Sequence, residues 1–309
     1  MVTIAADYAM LRVEKMPQRA ATKSGRGSSS LRRGARLVEA ERRQSEAAHD
    51  RSRSATKVGR GVATGRDVLA DREGPGGHLS RPELLDLLGE GKELSGANLA
   101  GLSLVGLDLT GAVLRGADLS DADLTRVNLS RAVLHEAKLT GACLSLANLA
   151  DADLRQCRME RVVLQEADLR RAKMLWVDMR SADARLANLS EADLRGARLS
   201  NADFRRAVLS GANLSEALLW DTHLEKAILQ ETRLVGADMS RAHFAGAILW
   251  RADLTRANVI DTDFSGVDLR QTNITRDQLI RAGSLQGAQY QGDESLRLRL
   301  LRGLTPKKR

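Results

Sequence analysis

An apolar residue recurs at every fifth position from Leu94 to Leu279, without insertion or deletion. All 38 of these positions, which we term repeat centres, are apolar, and 28 of them are leucine. Two residues before the centres, the 36 positions from Ala97 to Thr272 include 25 alanines and no charged residue. Aspartate or asparagine is common at the position between, as in Ala117-Asp118-Leu119. This period restricts the fold more than any other feature of the chain.

A period of five residues fits neither regular element. On an α-helix, five residues advance the side chain by about 140°, so the centres would scatter around the cylinder. In a straight strand, residues five apart point to opposite faces. The pattern therefore predicts that the chain turns a corner every five residues, with the centres and the small residues pointing inward. Aspartate and asparagine suit such bends because their side chains hydrogen-bond to nearby backbone, and glycine, as at Gly116, relieves strain at the corner.

The segment from Ala112 to Leu124 (AVLRGADLSDADL) and its successors resemble the pentapeptide-repeat family, whose consensus is A-(D/N)-L-x-x. The resemblance covers residues 94–279, which are 186 of the 309 residues. It implies an all-β fold, a right-handed quadrilateral β-helix with four pentapeptides in each coil. We expect about nine coils stacked at roughly 4.8 Å, so that residues 20 apart become vertical neighbours.

The ends of such a solenoid need covering, because an open coil offers unpaired backbone groups to other chains. Ser80 to Glu83 form a capping box before a leucine-rich segment, which predicts a short N-terminal helix. Thr275 to Gln278 form a second capping box, which predicts a C-terminal helix ending at Gly283. The expected organisation is a disordered extension over 1–77, an N-terminal cap over 78–93, the β-helix over 94–279, and a C-terminal cap with a basic tail over 280–309.

The net charge of +8 lies in the ends of the chain. Residues 94–279 contain 23 basic and 25 acidic side chains, so the repeat is nearly neutral. The Gly-, Ser- and Arg-rich extension cannot bury a core and is expected to be disordered. Three interpretations of it stay open: a plain or mis-assigned extension, a tether to nucleic acid or an anionic membrane, and an organelle transit peptide. The two cysteines form no disulfide framework, which favours a reduced, cytoplasmic protein of bacterial type.

The sequence contains no recognisable catalytic constellation. An interior filled by leucine and phenylalanine leaves no cavity for a substrate, and the repeat has no inserted loops that could carry a site. We therefore expect no enzyme activity, no cofactor and no small-molecule substrate. One column, Asp203, His223, His243 and Asp263, contains zinc-type ligands. Because a flat ladder does not converge on one point, we interpret these residues as solvated surface and predict no metal site.

Unexpected apolar residues occupy outward positions. Val208, Ile228 and Ile248 share one side in successive coils, with Trp250 beside them, and Leu218 and Trp220 lie on another side. Exposed apolar strips often mark partner surfaces, although incidental exposure is the alternative interpretation.

The sequence favours a non-catalytic binding or scaffold module that contacts a protein partner of unknown identity, with a homodimer as one option. The family resemblance adds a second hypothesis, binding to DNA gyrase by imitation of duplex DNA, with protection from quinolones. The near-neutral repeat argues against that hypothesis, because a mimic needs a strongly negative surface. A third hypothesis is tethering to nucleic acid or membrane through the basic ends, which lack the aromatic residues of stacking platforms.

Overall fold

The computed structural model describes Leu84 and residues 93–291. Residues 20 apart in this part of the chain form parallel bridges, beginning with Glu93 and Val113. The coils build the right-handed, four-sided β-helix that the sequence predicts, and each side of a coil contributes one bridging residue. The bridged columns run from Glu93 to Asp253 on side one, from Asn98 to Asn258 on side two, from Ser103 to Ser284 on side three, and from Asp108 to Ile248 and Asp268 to Gln289 on side four.

Each corner is a four-residue turn that begins at a repeat centre. In the first described corner, the Ala97 N–H donates to the Leu94 carbonyl at 3.1 Å. The third residue of the turn, Gly96, has a φ of 70°. A positive φ at this position is the requirement of a type II turn. Among the described residues, 12 glycines and 24 other residues have a positive φ, so most corners adopt this strained conformation without glycine.

The interior is closed by the residue types that the period predicts. Every centre from Leu94 to Leu269 is buried, including Ala184. Phe204, Phe244 and Phe264 lie in one internal column, and the rings of the last two have centroids 5.5 Å apart. At three of the four positions where threonine replaces the small alanine, the hydroxyl donates to a carbonyl of the preceding coil; the Thr272 hydroxyl donates to the Leu269 carbonyl of its own corner. The three bonds between coils join Thr222 to Leu199, Thr232 to Leu209 and Thr262 to Met239.

The C-terminal end of the repeat is covered by α1, which spans Arg276–Arg281. Thr275 is its N-cap, and the predicted capping box with Gln278 is present. The structure differs here from the five-residue count, because Leu279 lies in α1 and Asp263 bridges Ser284, one residue later than the 20-residue spacing requires. The helix also ends at Arg281, before the expected Gly283. Gly283 lies so close to the Asp261 backbone that a Cβ would be 2.6 Å from its carbonyl oxygen.

Two side chains satisfy main-chain groups of the last regular coil. The Gln278 side-chain amide donates to the carbonyls of Leu254 at 2.8 Å and Ala257 at 2.9 Å, and its oxygen accepts the Thr275 N–H. The Asn273 side-chain oxygen accepts the Leu254 N–H at 2.6 Å, a bond that a main-chain carbonyl accepts in earlier coils. The end of the ladder is therefore closed by amide side chains, which leave fewer edge groups for another chain.

Leu84, within the predicted N-terminal cap, is helical and fully buried. The remainder of the 78–92 cap, the 1–77 extension and the tail after residue 291 lie outside the described residues. Within the described part, no helix is both long and apolar enough to cross a membrane.

Replacing Gln278 by glutamate tests the end closure. A carboxylate cannot donate to the Leu254 and Ala257 carbonyls, so we expect a loss of about 2–3 kcal/mol in the free energy of unfolding. Urea denaturation measures the change, and Gln286→Glu, at an exposed position, is the control. A Gln278→Glu variant as stable as Gln286→Glu would show that α1 does not stabilise the coils.

Replacing Gly111 by alanine tests the cost of a strained corner. Gly111 has a φ of 67°, and a Cβ there would have no neighbouring atom within 4 Å, so backbone strain is isolated from steric overlap. We expect a loss of about 1 kcal/mol. The reverse variant, Arg126→Gly at a φ of 58°, should not lower the unfolding temperature. Equal effects of the two variants would contradict this account.

Candidate functional site

The corners position the outward side chains. At most corners an aspartate or asparagine before the centre accepts a hydrogen bond from a main-chain N–H two residues on, as in Asp118 to Ser120 at 3.1 Å and Asn188 to Ser190 at 3.1 Å. This bond restrains the side chain against its own corner. Residues without a polar side chain at this position point into solvent without such a bond.

The structure brings together the four residues of the predicted strip, Val208, Ile228, Ile248 and Trp250, which we call the side-four strip. Val208 bridges Ile228, and Ile228 bridges Ile248, so the three aliphatic side chains form one ladder. Ile248 is 37% exposed and Trp250 is 41% exposed, whereas Val208 and Ile228 are half-buried. Their neighbouring centres are buried, so the strip faces outward as predicted.

Charged side chains border this strip. The Arg251 guanidinium lies 4.3 Å from the centre of the Trp250 ring, and one of its nitrogens is 3.5 Å from the Glu231 carboxylate. Stacking of a guanidinium on an indole restricts the ring and leaves its other face available for contact. The Arg251 guanidinium thus restrains the Trp250 ring at the corner that follows side four.

A second apolar group lies on side two. Leu218 is 43% exposed and Trp220 is 42% exposed, and the Arg241 guanidinium stacks over the Trp220 ring at 5.1 Å. Ile260, which the sequence analysis did not single out, is exposed on the same side. In the sequence, Ile260 could have been recognised as exposed because it is an apolar residue directly after a repeat centre, Val259. Because sides two and four are opposite sides of a coil, the predicted residues form two separate surfaces.

A shallow groove of about 500 Å³ runs along the corner after side three. Sequence reasoning did not predict it, since it depends on how long side chains of successive coils lean. Two of its arginines are bound to their own coils, Arg185 to Asp183 and Arg205 to Asp203. The residues that line it are Gln165, Arg185, Leu186, Arg205, Arg206, Glu225 and Lys226, a set without a nucleophile and base in contact.

The column considered for a metal stacks as predicted. The rings of His223 and His243 have centroids 4.7 Å apart and an interplanar angle of 8°. The Asp203 carboxylate accepts a hydrogen bond from the Arg205 guanidinium, and the Asp263 carboxylate accepts one from the Ser265 N–H at 2.9 Å. Across the described residues, no group of three or more His, Cys, Asp or Glu side chains is arranged to hold a metal ion.

Seven aspartates of the repeat are paired with an arginine two residues later in the same corner. The Arg155 guanidinium donates to both oxygens of Asp153, at 2.7 and 2.5 Å. Burial raises the pKa of Asp153, but the hydrogen bonds from Arg155 outweigh it, and the pKa lies below its ordinary value. The same arrangement recurs at Asp168–Arg170, Asp178–Arg180, Asp183–Arg185, Asp193–Arg195, Asp203–Arg205 and Asp268–Arg270.

Comparison with protein families gives one match within the described repeat. The model for pentapeptide repeats matches in eight copies, over residues 93–131, 114–149, 147–183, 187–219, 207–244 and 237–276. Comparison with curated proteins gives no match.

Among solved structures, the chain is similar to HetL from the cyanobacterium Nostoc sp. strain PCC 7120, a pentapeptide repeat protein involved in heterocyst differentiation regulation. The two are 30% identical with a TM-score of 0.61, over 69% of this chain and 95% of HetL. The chain is also similar to QnrB1, a plasmid-mediated fluoroquinolone resistance protein, at 20% identity and a TM-score of 0.47, over 68% of this chain and 100% of that one.

The Asp153–Arg155 pair predicts a pH-dependent contribution to stability. Because the folded pKa of Asp153 is lowered, the contribution is complete above the unfolded pKa of about 4 and is lost as the pH falls through the folded value. The unfolding temperature of Asp153→Asn should therefore lie below that of the unmodified protein at pH 7, and the difference should shrink as the pH falls below the unfolded pKa of about 4.

Asn213→Ala is the matched control. Asn213 makes the same corner hydrogen bond, to the Ser215 N–H at 3.1 Å, with a side chain that does not titrate. Its effect on the unfolding temperature should be the same at pH 7 and below about pH 4. A constant difference for Asp153→Asn would contradict the lowered pKa.

Proposed function

Since the chain belongs to the pentapeptide-repeat family, we propose that it is a non-catalytic protein-binding module that presents one side of its β-helix to a partner. The observation that carries this proposal is the side-four strip. Three β-branched or aliphatic side chains and an indole lie outward in register on a backbone that is hydrogen-bonded from coil to coil. A preorganised surface of this kind binds without first having to order its own chain.

The size of the strip suits a modest interface. Each side chain that becomes fully buried contributes about 1.5–3 kcal/mol, and the partly exposed residues here have less area left to bury. Association costs several kcal/mol of lost translational and rotational freedom. The strip therefore supports reversible binding, with Trp250 and Ile248 as its most exposed members.

The pairing of acids with arginines disfavours imitation of DNA. A DNA-like surface needs rows of carboxylates whose charge reaches the partner. At the corners that contain Asp-x-Arg, such as Asp193–Arg195, the guanidinium lies directly on the carboxylate and cancels its charge. The groove is lined by no serine, threonine or cysteine that could act as a nucleophile, which supports a binding role over an enzymatic one.

Replacing Ile228 by glutamate tests the proposal. The charge would lie in the middle of the strip, and we expect recovery of the partner by affinity capture to fall at least about tenfold. The fold should persist, because the side chain is outside the core and the main-chain bonds of Ile228 are unchanged. Quantitative mass spectrometry of captured proteins and a thermal melt measure the two effects.

Val133→Glu is the matched control. Val133 occupies the same outward position on side one, where it bridges Val113. A partner specific to side four is lost with Ile228→Glu and retained with Val133→Glu. Equal recovery with both variants would exclude the side-four strip as the binding surface, and a melted Ile228→Glu protein would show that the position is structural.

A further inference from the structure

The third residue of each corner turn, which we call the corner residue, lies one coil of about 4.8 Å from its equivalent in the next coil. Corner residues occupy every fifth position from Gly96 to Gly266. Seven stacks along this series consist of two charged corner residues, and six of them join opposite charges, as in Asp151–Arg171, Asp221–Arg241 and Glu231–Arg251. The seventh is Arg206–Lys226, at the corner between sides three and four, and it joins two cations.

The stacks of opposite charge form ion pairs between coils. The N···O distances are 2.8 Å for Arg171–Asp151, 2.9 Å for Arg241–Asp221 and 3.5 Å for Arg251–Glu231.

The Arg206–Lys226 stack has no such partner. Both side chains are exposed, and in the described part of the chain neither forms an ion pair or a side-chain hydrogen bond. Leu186 lies one coil before Arg206 and Gly246 one coil after Lys226, so their own column supplies no acid to either cation. Two like charges one coil apart repel each other, and an anion bound between them would relieve that repulsion.

These two cations line the groove at this corner, together with Leu186, which is 50% exposed. The groove is also lined by Arg185 and Arg205, whose guanidiniums bind Asp183 and Asp203 on side three. In each guanidinium, Nε and Nη2 donate to the aspartate, and Nη1 donates to no group among the described residues. Both N–H groups of each Nη1 are therefore available to a ligand.

One acid, Glu225, also lines the groove. Its Oε1 lies 3.0 Å from the His223 Nδ1, and its Oε2 is buried. Within the described structure Glu225 forms no ion pair with Arg206 or Lys226. The carboxylate is bound toward side three, and the two corner cations keep charges that no acid of the repeat contacts.

The lining of the groove suits a short acidic segment of a protein. A volume of about 500 Å³ is in the range of clefts that hold small ligands or a few residues of extended chain. A carboxylate matches the planar fork of Arg206 and the point charge of Lys226. The Gln165 amide donates to Asp183 at 2.7 Å and retains its oxygen as an acceptor for a main-chain N–H of the ligand.

A single-stranded nucleic acid would supply negative charge as well. None of the seven residues that line the groove is aromatic, so its bases would find no stacking surface there. The exposed Leu186 instead offers an apolar contact to the methylene groups of an acidic side chain. These observations favour a peptide as the ligand.

We propose that this groove is a second binding site, which takes an acidic segment of a partner protein and places its carboxylates between Arg206 and Lys226. The site is separate from the side-four strip, and the inference does not depend on that strip. Because the groove is shallow and open to solvent, the affinity for an isolated peptide is expected to be weak, with a Kd on the order of 0.1–1 mM.

Isothermal titration calorimetry of the full chain tests the inference with three probes: amidated hexaglutamate, amidated hexaglutamine and hexathymidylate. We expect hexaglutamate to bind and hexaglutamine not to bind. The double variant Arg206→Gln/Lys226→Gln should raise the Kd for hexaglutamate at least about tenfold, because it removes both unpaired cations. Its unfolding temperature should not fall, since the substitutions remove a repulsion between like charges.

Lys173→Gln/Arg233→Gln is the matched control. Both residues are exposed on side one and form no ion pair among the described residues, and their loss changes the net charge by the same amount. The basic ends of the chain are identical in the two double variants, so their attraction for the peptide cancels in the comparison. The control should keep the Kd within about two-fold of the original.

Equal Kd values for the two double variants would overturn the inference, and so would an unmodified protein that does not bind hexaglutamate. If hexathymidylate binds, loses affinity in the groove variant, and hexaglutamate does not bind, the groove recognises nucleic acid and the acidic protein segment is wrong. None of these outcomes involves the side-four strip, so the capture experiment with Ile228→Glu decides the proposed function separately.

Discussion

The main-chain hydrogen bonds between successive coils, which join residues 19 or 21 apart, are the interaction on which the structure depends. In each coil the N–H of a centre donates to the next coil, as in Leu114 to the Val133 carbonyl at 2.7 Å. These bonds form in register only if every corner turns by the same amount. The chain therefore accepts a positive φ at residues as unsuited to it as Trp176 and Leu186. The strain at single corners is tolerated because the bonds on both sides of each corner restrain it.

The same ladder creates a problem at its end, where the next coil is missing. The chain departs from its repeat there, adds one residue to the spacing, and places α1 over the core. Gln278 and Asn273 use both functions of their side-chain amides, as donors and as acceptors, so they can satisfy carbonyl and N–H groups at the same edge. An apolar plug such as Leu279 alone would cover the core and leave those groups unsatisfied.

Because the interior is occupied by the repeat, recognition is left to the outward positions. Most of them are polar and restrained by their own corner, through bonds to main-chain N–H groups and through Asp–Arg pairs. The side-four strip is a departure from that pattern, because Val208, Ile228 and Ile248 have no polar side chain that could bond to their own corner. Val208, Ile228 and Ile248 form one surface because they are spaced by one coil length of 20 residues, which places them directly above one another.

Sequence alone determined the coil, its inward and outward positions, the C-terminal capping box and the residues of the apolar strip. All of these follow from the five-residue period. Because every corner has the same geometry, the place of a residue in its repeat determines whether its side chain points inward or outward. Only the tertiary structure decided the extra residue before Ser284, the groove beside Leu186, the exposure of Ile260 and the stacking of arginines on Trp220 and Trp250. Those features depend on neighbours in other coils and on where main-chain pairing stops, which the five-residue period does not encode.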